Sequence, residues 1–174
     1  MRISTSLTSA ALALALLTTA PAAAQDRGNF EQAGDIAQIA LPLLAGFCAI
    51  RQHRSVEFFA GLATQAALTQ ALKLGLGEIP MNTRPNGGKH GFPSGHTAAA
   101  FYGATNLAKK CFPDRPVLGG LAYGTALAVG MSRVNANKHN NLQVGVGAVI
   151  GYYANGVTFS ASKDNFGFGF SIDF

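Results

Sequence analysis

Apolar residues gather along the chain in five long stretches, over 36–50, 58–72, 97–108, 116–132 and 142–157, separated by short polar punctuation. The first ends at Arg51-Gln52-His53-Arg54, the second at Lys73, the third at Lys109-Lys110 and the fourth at Arg133. Ala, Leu and Gly dominate these stretches. They are longer than ordinary strands and contain few β-branched runs, so each predicts a helix. Two helix starts are legible: Ser94 stands as a capping residue ahead of the third stretch, and Pro116 occupies the first turn of the fourth. Toward the C-terminus the period changes. Phe166, Phe168, Phe170, Ile172 and Phe174 alternate with small or polar residues, and Val157, Phe159 and Ala161 alternate before Lys163-Asp164-Asn165. That pattern predicts a hairpin over 156–174, packed as a flap on the helices. The expected fold class is all-α, a bundle of about five core helices with a short C-terminal β-hairpin.

Residues 1–24 read as a secretory signal: Arg2 supplies the positive start, 10–17 the apolar segment, and Ala22-Ala23-Ala24 the small-residue cleavage site. The helical domain is then expected over 25–174, exported to the periplasm and membrane-associated. The alternative is an integral inner-membrane protein whose first span is the uncleaved signal. The uncharged stretches of the first four helices fall short of the ~20 residues a span needs, which favours a domain touching the membrane. The 174 residues hold 13 Lys+Arg against 8 Asp+Glu, with 48% hydrophobic and 12% charged positions. So apolar a chain is not disordered. Its basic residues form no run longer than Lys109-Lys110, so no nucleic-acid footprint is expected.

Charge matters more for where it falls. In an up-and-down bundle with short connections, one end collects Lys73, Arg84, Lys89, His90, Ser94, His96, Arg133, Lys138 and His139, with Glu78 as the single acid. The opposite end holds Cys48 and Cys111, expected to lie near one another and to be oxidised if that end is periplasmic. Arg forks and a Lys supply charge-assisted hydrogen bonds to an oxyanion, and amides after Ser94 add the positive end of a helix. Two histidines can divide the remaining work, one attacking phosphorus and the other protonating the leaving oxygen. A metal site on His90, His96 and His139 is disfavoured, because no Cys or carboxylate neighbours them and the cations would repel an ion.

Three blocks resemble the type 2 phosphatidic acid phosphatase superfamily, which shares its fold with the vanadium haloperoxidases: Lys73 with Arg84-Pro85, then Pro93-Ser94-Gly95-His96, then Ser132-Arg133 with His139. The resemblance implies that His139 is the nucleophile and His96 the general acid, later the base that activates water. It also implies that Lys73, Arg84, Ser94, Gly95 and Arg133 hold the phosphate oxygens, with no metal or other cofactor. Gln143 stands where the family has the Asp that orients the nucleophile, and ten residues separate Lys73 from Arg84 where six are typical. The expected function is metal-independent hydrolysis of phosphate monoesters or pyrophosphates through a phosphohistidine, on a phosphorylated lipid or small phosphoester. The alternative is a catalytically weak phosphate-binding or structural relative, since an amide cannot stabilise a cationic ring as a carboxylate does. On this reading Gln143→Asp is expected to raise turnover. Oligomeric state is left open.

Overall fold

The computed structural model describes residues 27–161 and 166–170; the expected signal over 1–24, the hairpin turn and the last four residues lie outside the described residues. Helix α1 spans Arg27–Arg51, α2 Ser55–Gly75, α3 Gly95–Asn106, α4 Pro116–Asn135 and α5 Asn141–Tyr153. Strands β1 (Val157–Ala161) and β2 (Phe166–Phe170) pair antiparallel, with Val157 opposite Phe170 and Ala161 opposite Phe166. Among the described residues the molecule is an all-α bundle carrying one strand pair, as the pattern predicts.

The bundle is built around α3. Ser94 caps it by accepting from Thr97 N–H, and eight of its residues, from Thr97 to Asn106, are buried. Small residues let its neighbours come close. A Cβ on Gly151 of α5 would stand 2.2 Å from the Ala98 carbonyl oxygen, and one on Gly103 would stand 2.5 Å from the α1 backbone at Leu41. Only glycine permits backbone-to-backbone contact of this kind. Tyr102 projects from α3 into the core and donates to the Phe58 carbonyl of α2 at 2.5 Å.

The end of the bundle away from the histidines is fastened covalently and by polar contacts. Cys48 and Cys111 form a disulfide with Cα atoms 6.2 Å apart. Lys110 pairs with Glu57 and donates to the Asn155 carbonyl at 2.9 Å. These contacts tie α1, α2 and the π-helical turn Leu107–Cys111 that extends α3. The polar loops are therefore sorted to two ends as short connections require, leaving the site at the other.

Two boundaries differ from the sequence expectation. Helix α5 stops at Tyr153, because Ala154–Gly156 tightens into a 3₁₀ turn that feeds β1. Helix α1 is already helical at Arg27, well ahead of residue 36, because polar turns carry no hydrophobic signal although Glu and Gln are good helix formers. The second difference has chemical consequences. It brings Glu31 and Asp35 to the site, so the expectation of Glu78 as the single acid there is wrong. It also lengthens the helix: α1 over Gly28–Arg51 and α4 over Pro116–Asn135 are long and apolar enough to cross a membrane by length and composition.

Candidate active site

A cleft of about 410 Å³ opens at the top of the bundle. Lys73, Arg84, Gly95, His96, Arg133 and His139 line it, with Gln70 and Lys138 beside them and Glu31 and Asp35 across from them. Ser94 and Gln143, also expected in the site, lie behind this lining and are fully buried. Lys89 and His90 turn away from it: Lys89 pairs with Glu78, and the exposed His90 holds Nδ1 2.9 Å from the Lys73 carbonyl. Among the described residues no group of three or more His, Cys, Asp or Glu side chains is placed to hold a metal ion.

His139 sits in the α4–α5 connection. The chain turns at Asn137, with φ 54°, and the Arg133 carbonyl accepts from the amides of Lys138 and His139 at 3.0 and 3.2 Å. A left-handed Asn just past a helix end is a favoured stop. The imidazole Nδ1 faces two oxygens, the Gly91 carbonyl at 2.8 Å and Gln143 Oε1 at 3.2 Å. Both are acceptors, so Nδ1 carries the proton and the neutral ring keeps its lone pair on Nε2. Burial, then the charges of Lys73 and Arg84, push this histidine down to about 4. It is therefore neutral at pH 7.

The amide of Gln143 is oriented without ambiguity. Its Nε2 donates to the carbonyls of Met81 and Thr83 at 3.0 and 2.9 Å, while Oε1 accepts from the Asn140 amide at 3.2 Å. Asn140 in turn accepts from the Gln143 amide at 2.9 Å, closing a capping box at the start of α5. Gln143 thus sets the tautomer of His139 and clamps the segment leading to Arg84. Aspartate here would have no proton to offer the Met81 and Thr83 oxygens, which counts against the expected gain from Gln143→Asp.

The long spacing between Lys73 and Arg84 is absorbed by the 3₁₀ turn Pro80–Asn82 and by Asn82, a buried residue that the sequence reading missed. Its Nδ2 donates to the carbonyls of Lys73 and Gly77 at 2.8 and 2.7 Å, and its Oδ1 accepts from Phe92 N–H at 2.9 Å. The loop closes with Lys73 and Arg84 on the same cleft. Lys73 Nζ donates to the His90 carbonyl at 2.8 Å; burial first and then Arg84 lower its pKa to about 8, which leaves it charged at pH 7. Arg84 Nε is buried and has no hydrogen-bond partner among the described residues.

Arg133 and His96 differ in already having an anionic partner. Arg133 donates from Nη1 to Asp35 Oδ1 at 2.8 Å and from Nη2 to the Glu31 carbonyl at 2.6 Å. The same Asp35 oxygen lies 3.0 Å from His96 Nε2. His96 is lowered by burial and then by Arg133, against the opposing pull of Asp35. Among the described residues, the half of the cleft around His139, Lys73 and Arg84 has no carboxylate paired with its cations, and the other half is partly neutralised by α1.

A family model described as the PAP2 superfamily matches residues 54–166, which covers the loops that build this cleft but leaves α1 outside. No curated protein and no solved structure matches the chain. The match joins the Lys73, Ser94 and His139 blocks into one contiguous unit, and on it the chain belongs to the PAP2 superfamily.

Proposed function

We propose that the protein is a metal-independent phosphatase that works through a phosphohistidine on His139 and acts on phosphate monoesters of lipids. Family membership supports a phosphatase acting on phosphoesters in general. The finer reading is carried by one observation: a buried neutral histidine, with Nδ1 fixed by Gly91 and Gln143, stands beside two cations that have no carboxylate partner among the described residues. His139 Nε2 attacks phosphorus while Lys73, Arg84, Arg133 and the amides at Gly95 hold the oxygens. His96 protonates the departing oxygen and then takes a proton from the water that hydrolyses the N–P bond. Lys73, Arg84, Arg133 and Lys138 against Glu31 and Asp35 leave two positive charges when both imidazoles are neutral. That excess matches a monoester dianion better than a longer polyphosphate.

Lipid rather than sugar substrates are supported by α1, where Ile36, Ile39, Leu43, Phe47 and Ile50 form an exposed apolar stripe at helical spacing that begins beside Asp35. Export to the periplasm, with the stripe against the membrane surface, is consistent with the disulfide, which persists in oxidising compartments. Purified protein should hydrolyse a lysophospholipid monophosphate in mixed micelles and lose that activity in His139→Ala. The second reading, a phosphate-binding relative with feeble turnover, is favoured by Gln143 in place of a carboxylate. Calorimetric phosphate binding in the absence of turnover would establish it instead.

A further inference from the structure

Helix α1 lies outside the region matched by the family model, yet it contributes a carboxylate to both His96 and Arg133. We infer that Asp35 is a positioning residue: by accepting from His96 Nε2–H while gripping Arg133, it fixes His96 as a proton donor that works from Nδ1. The inference rests on the phosphatase reading above for the role of His96, but its geometry stands independently. Asp35 Oδ1 is 3.0 Å from His96 Nε2 and 2.8 Å from Arg133 Nη1. Helix α1 is seated against α4 directly at this point. A Cβ on Gly34 would lie 2.0 Å from Ser132 Oγ, and the Glu31 carbonyl accepts from Arg133 Nη2. Asp35 is therefore delivered by a close helix contact rather than by a loose side chain.

The chemistry follows from which nitrogen is occupied. With Nε2–H held by a carboxylate, Nδ1 is the ring nitrogen left to exchange a proton. His96 enters the first step as the imidazolium, having taken a proton on Nδ1 from solvent or from the monoester monoanion; the bond from His139 Nε2 to phosphorus then forms, the bond from phosphorus to the ester oxygen breaks, and the oxygen leaves with that Nδ1 proton. In the second, water gives a proton to Nδ1 as its oxygen attacks phosphorus and the N–P bond breaks, returning His139 neutral and His96 protonated. In both steps His96 passes through the imidazolium, the form a neighbouring carboxylate favours. The other charges facing His96 are Arg133 from α4 and Arg84 from the loop, with Glu31, Lys138 and His139 around the same cleft. Both arginines oppose the imidazolium, and burial does so too. Asp35 is the group that counters them. The carboxylate missing from the nucleophile is thus present on the proton donor.

The test compares wild type with Asp35→Asn. Nitrogen NMR of the imidazoles reads the inference without turnover: wild type should show His96 as the Nε2–H tautomer, and Asp35→Asn should lower its titration midpoint. Kinetics read it a second way. Asp35→Asn should reduce kcat on alkyl phosphates by about 10²-fold and on aryl phosphates by less than about fivefold, because aryl oxygens need little help from an acid. Glu31→Gln, which removes charge from the same helix turn but not the contact to His96, should not produce that split. A His96 tautomer and titration unchanged in Asp35→Asn would overturn the inference. So would a rise in kcat/KM on every substrate, which would mean that Asp35 only blocks the phosphate seat. Wild-type inactivity on all phosphoesters would sink the phosphatase reading, while the NMR result would still decide the role of Asp35.

Discussion

Gln143 departs furthest from the family pattern, and its neighbours explain why an amide is kept. Its Nε2 satisfies two carbonyls that a carboxylate would repel, and its oxygen still holds the His139 proton. Gln143→Asp is therefore expected to lower stability by about 2–4 kcal/mol, the range for burying an unpaired charge and breaking a buried network, and to lower turnover. Thermal melts and aryl phosphate hydrolysis check both parts. His139 gives a second prediction. Its folded pKa of about 4 lies below the ordinary 6.5, so the unfolded chain takes up the proton first. Stability is complete above about pH 6.5, falls as pH drops, and levels off near pH 4, with roughly 3 kcal/mol lost over that window. His96 shifts in the same direction and adds to the slope. Denaturant midpoints across pH should show the fall, and His139→Ala should remove much of it. A flat profile in wild type would mean that His139 takes up its proton as readily in the fold as in the unfolded chain.

The helices deliver these side chains with little slack. Gly147 of α5 lies so close to the start of α3 that a Cβ there would be 2.5 Å from the Ser94 carbonyl oxygen. Gly147→Ala should push the Ser94–Gly95 turn out of place, with a loss of about 1–3 kcal/mol in stability and weaker binding of inorganic phosphate. Calorimetry and melting of one preparation give both values. An alanine variant with wild-type phosphate affinity would show that the turn does not hold the anion. At this scale much was legible in advance. The hydrophobic stretches located all five helices, the cap at Ser94 and Pro116 marked two starts, and the change of period marked the strands. Two-ended sorting of the loops named nine polar residues, of which Lys73, Arg84, His96, Arg133, Lys138 and His139 line one cleft, while Gly95 and Gln143 were named only through the family resemblance. Glu31 and Asp35 were missed because the first helix was read only from its apolar stripe, although acids at i and i+4 in a charge-poor segment are a signal of one face. Asn82 was missed because a lone loop asparagine looks like any turn residue until its carbonyl partners are known.

Taken whole, the molecule is a bundle fastened at one end and open for chemistry at the other. The disulfide joins residues 63 apart in sequence. Replacing both cysteines by serine should lower stability by about 4 kcal/mol on the loop-entropy scale while leaving phosphate binding intact in the folded fraction, as read by denaturant titration and calorimetry. Loss of phosphate binding in that folded fraction would instead mean that the two ends of the bundle are coupled. The central claim, that the bundle exists to present His139 as a nucleophile, is tested most directly by rapid acid-free quenching during turnover of an aryl phosphate, followed by peptide mapping. The account predicts an acid-labile phosphoryl group on His139 that forms faster than steady-state turnover and is absent in His139→Ala. Turnover with an unmodified His139, or undiminished turnover in His139→Ala, would contradict it.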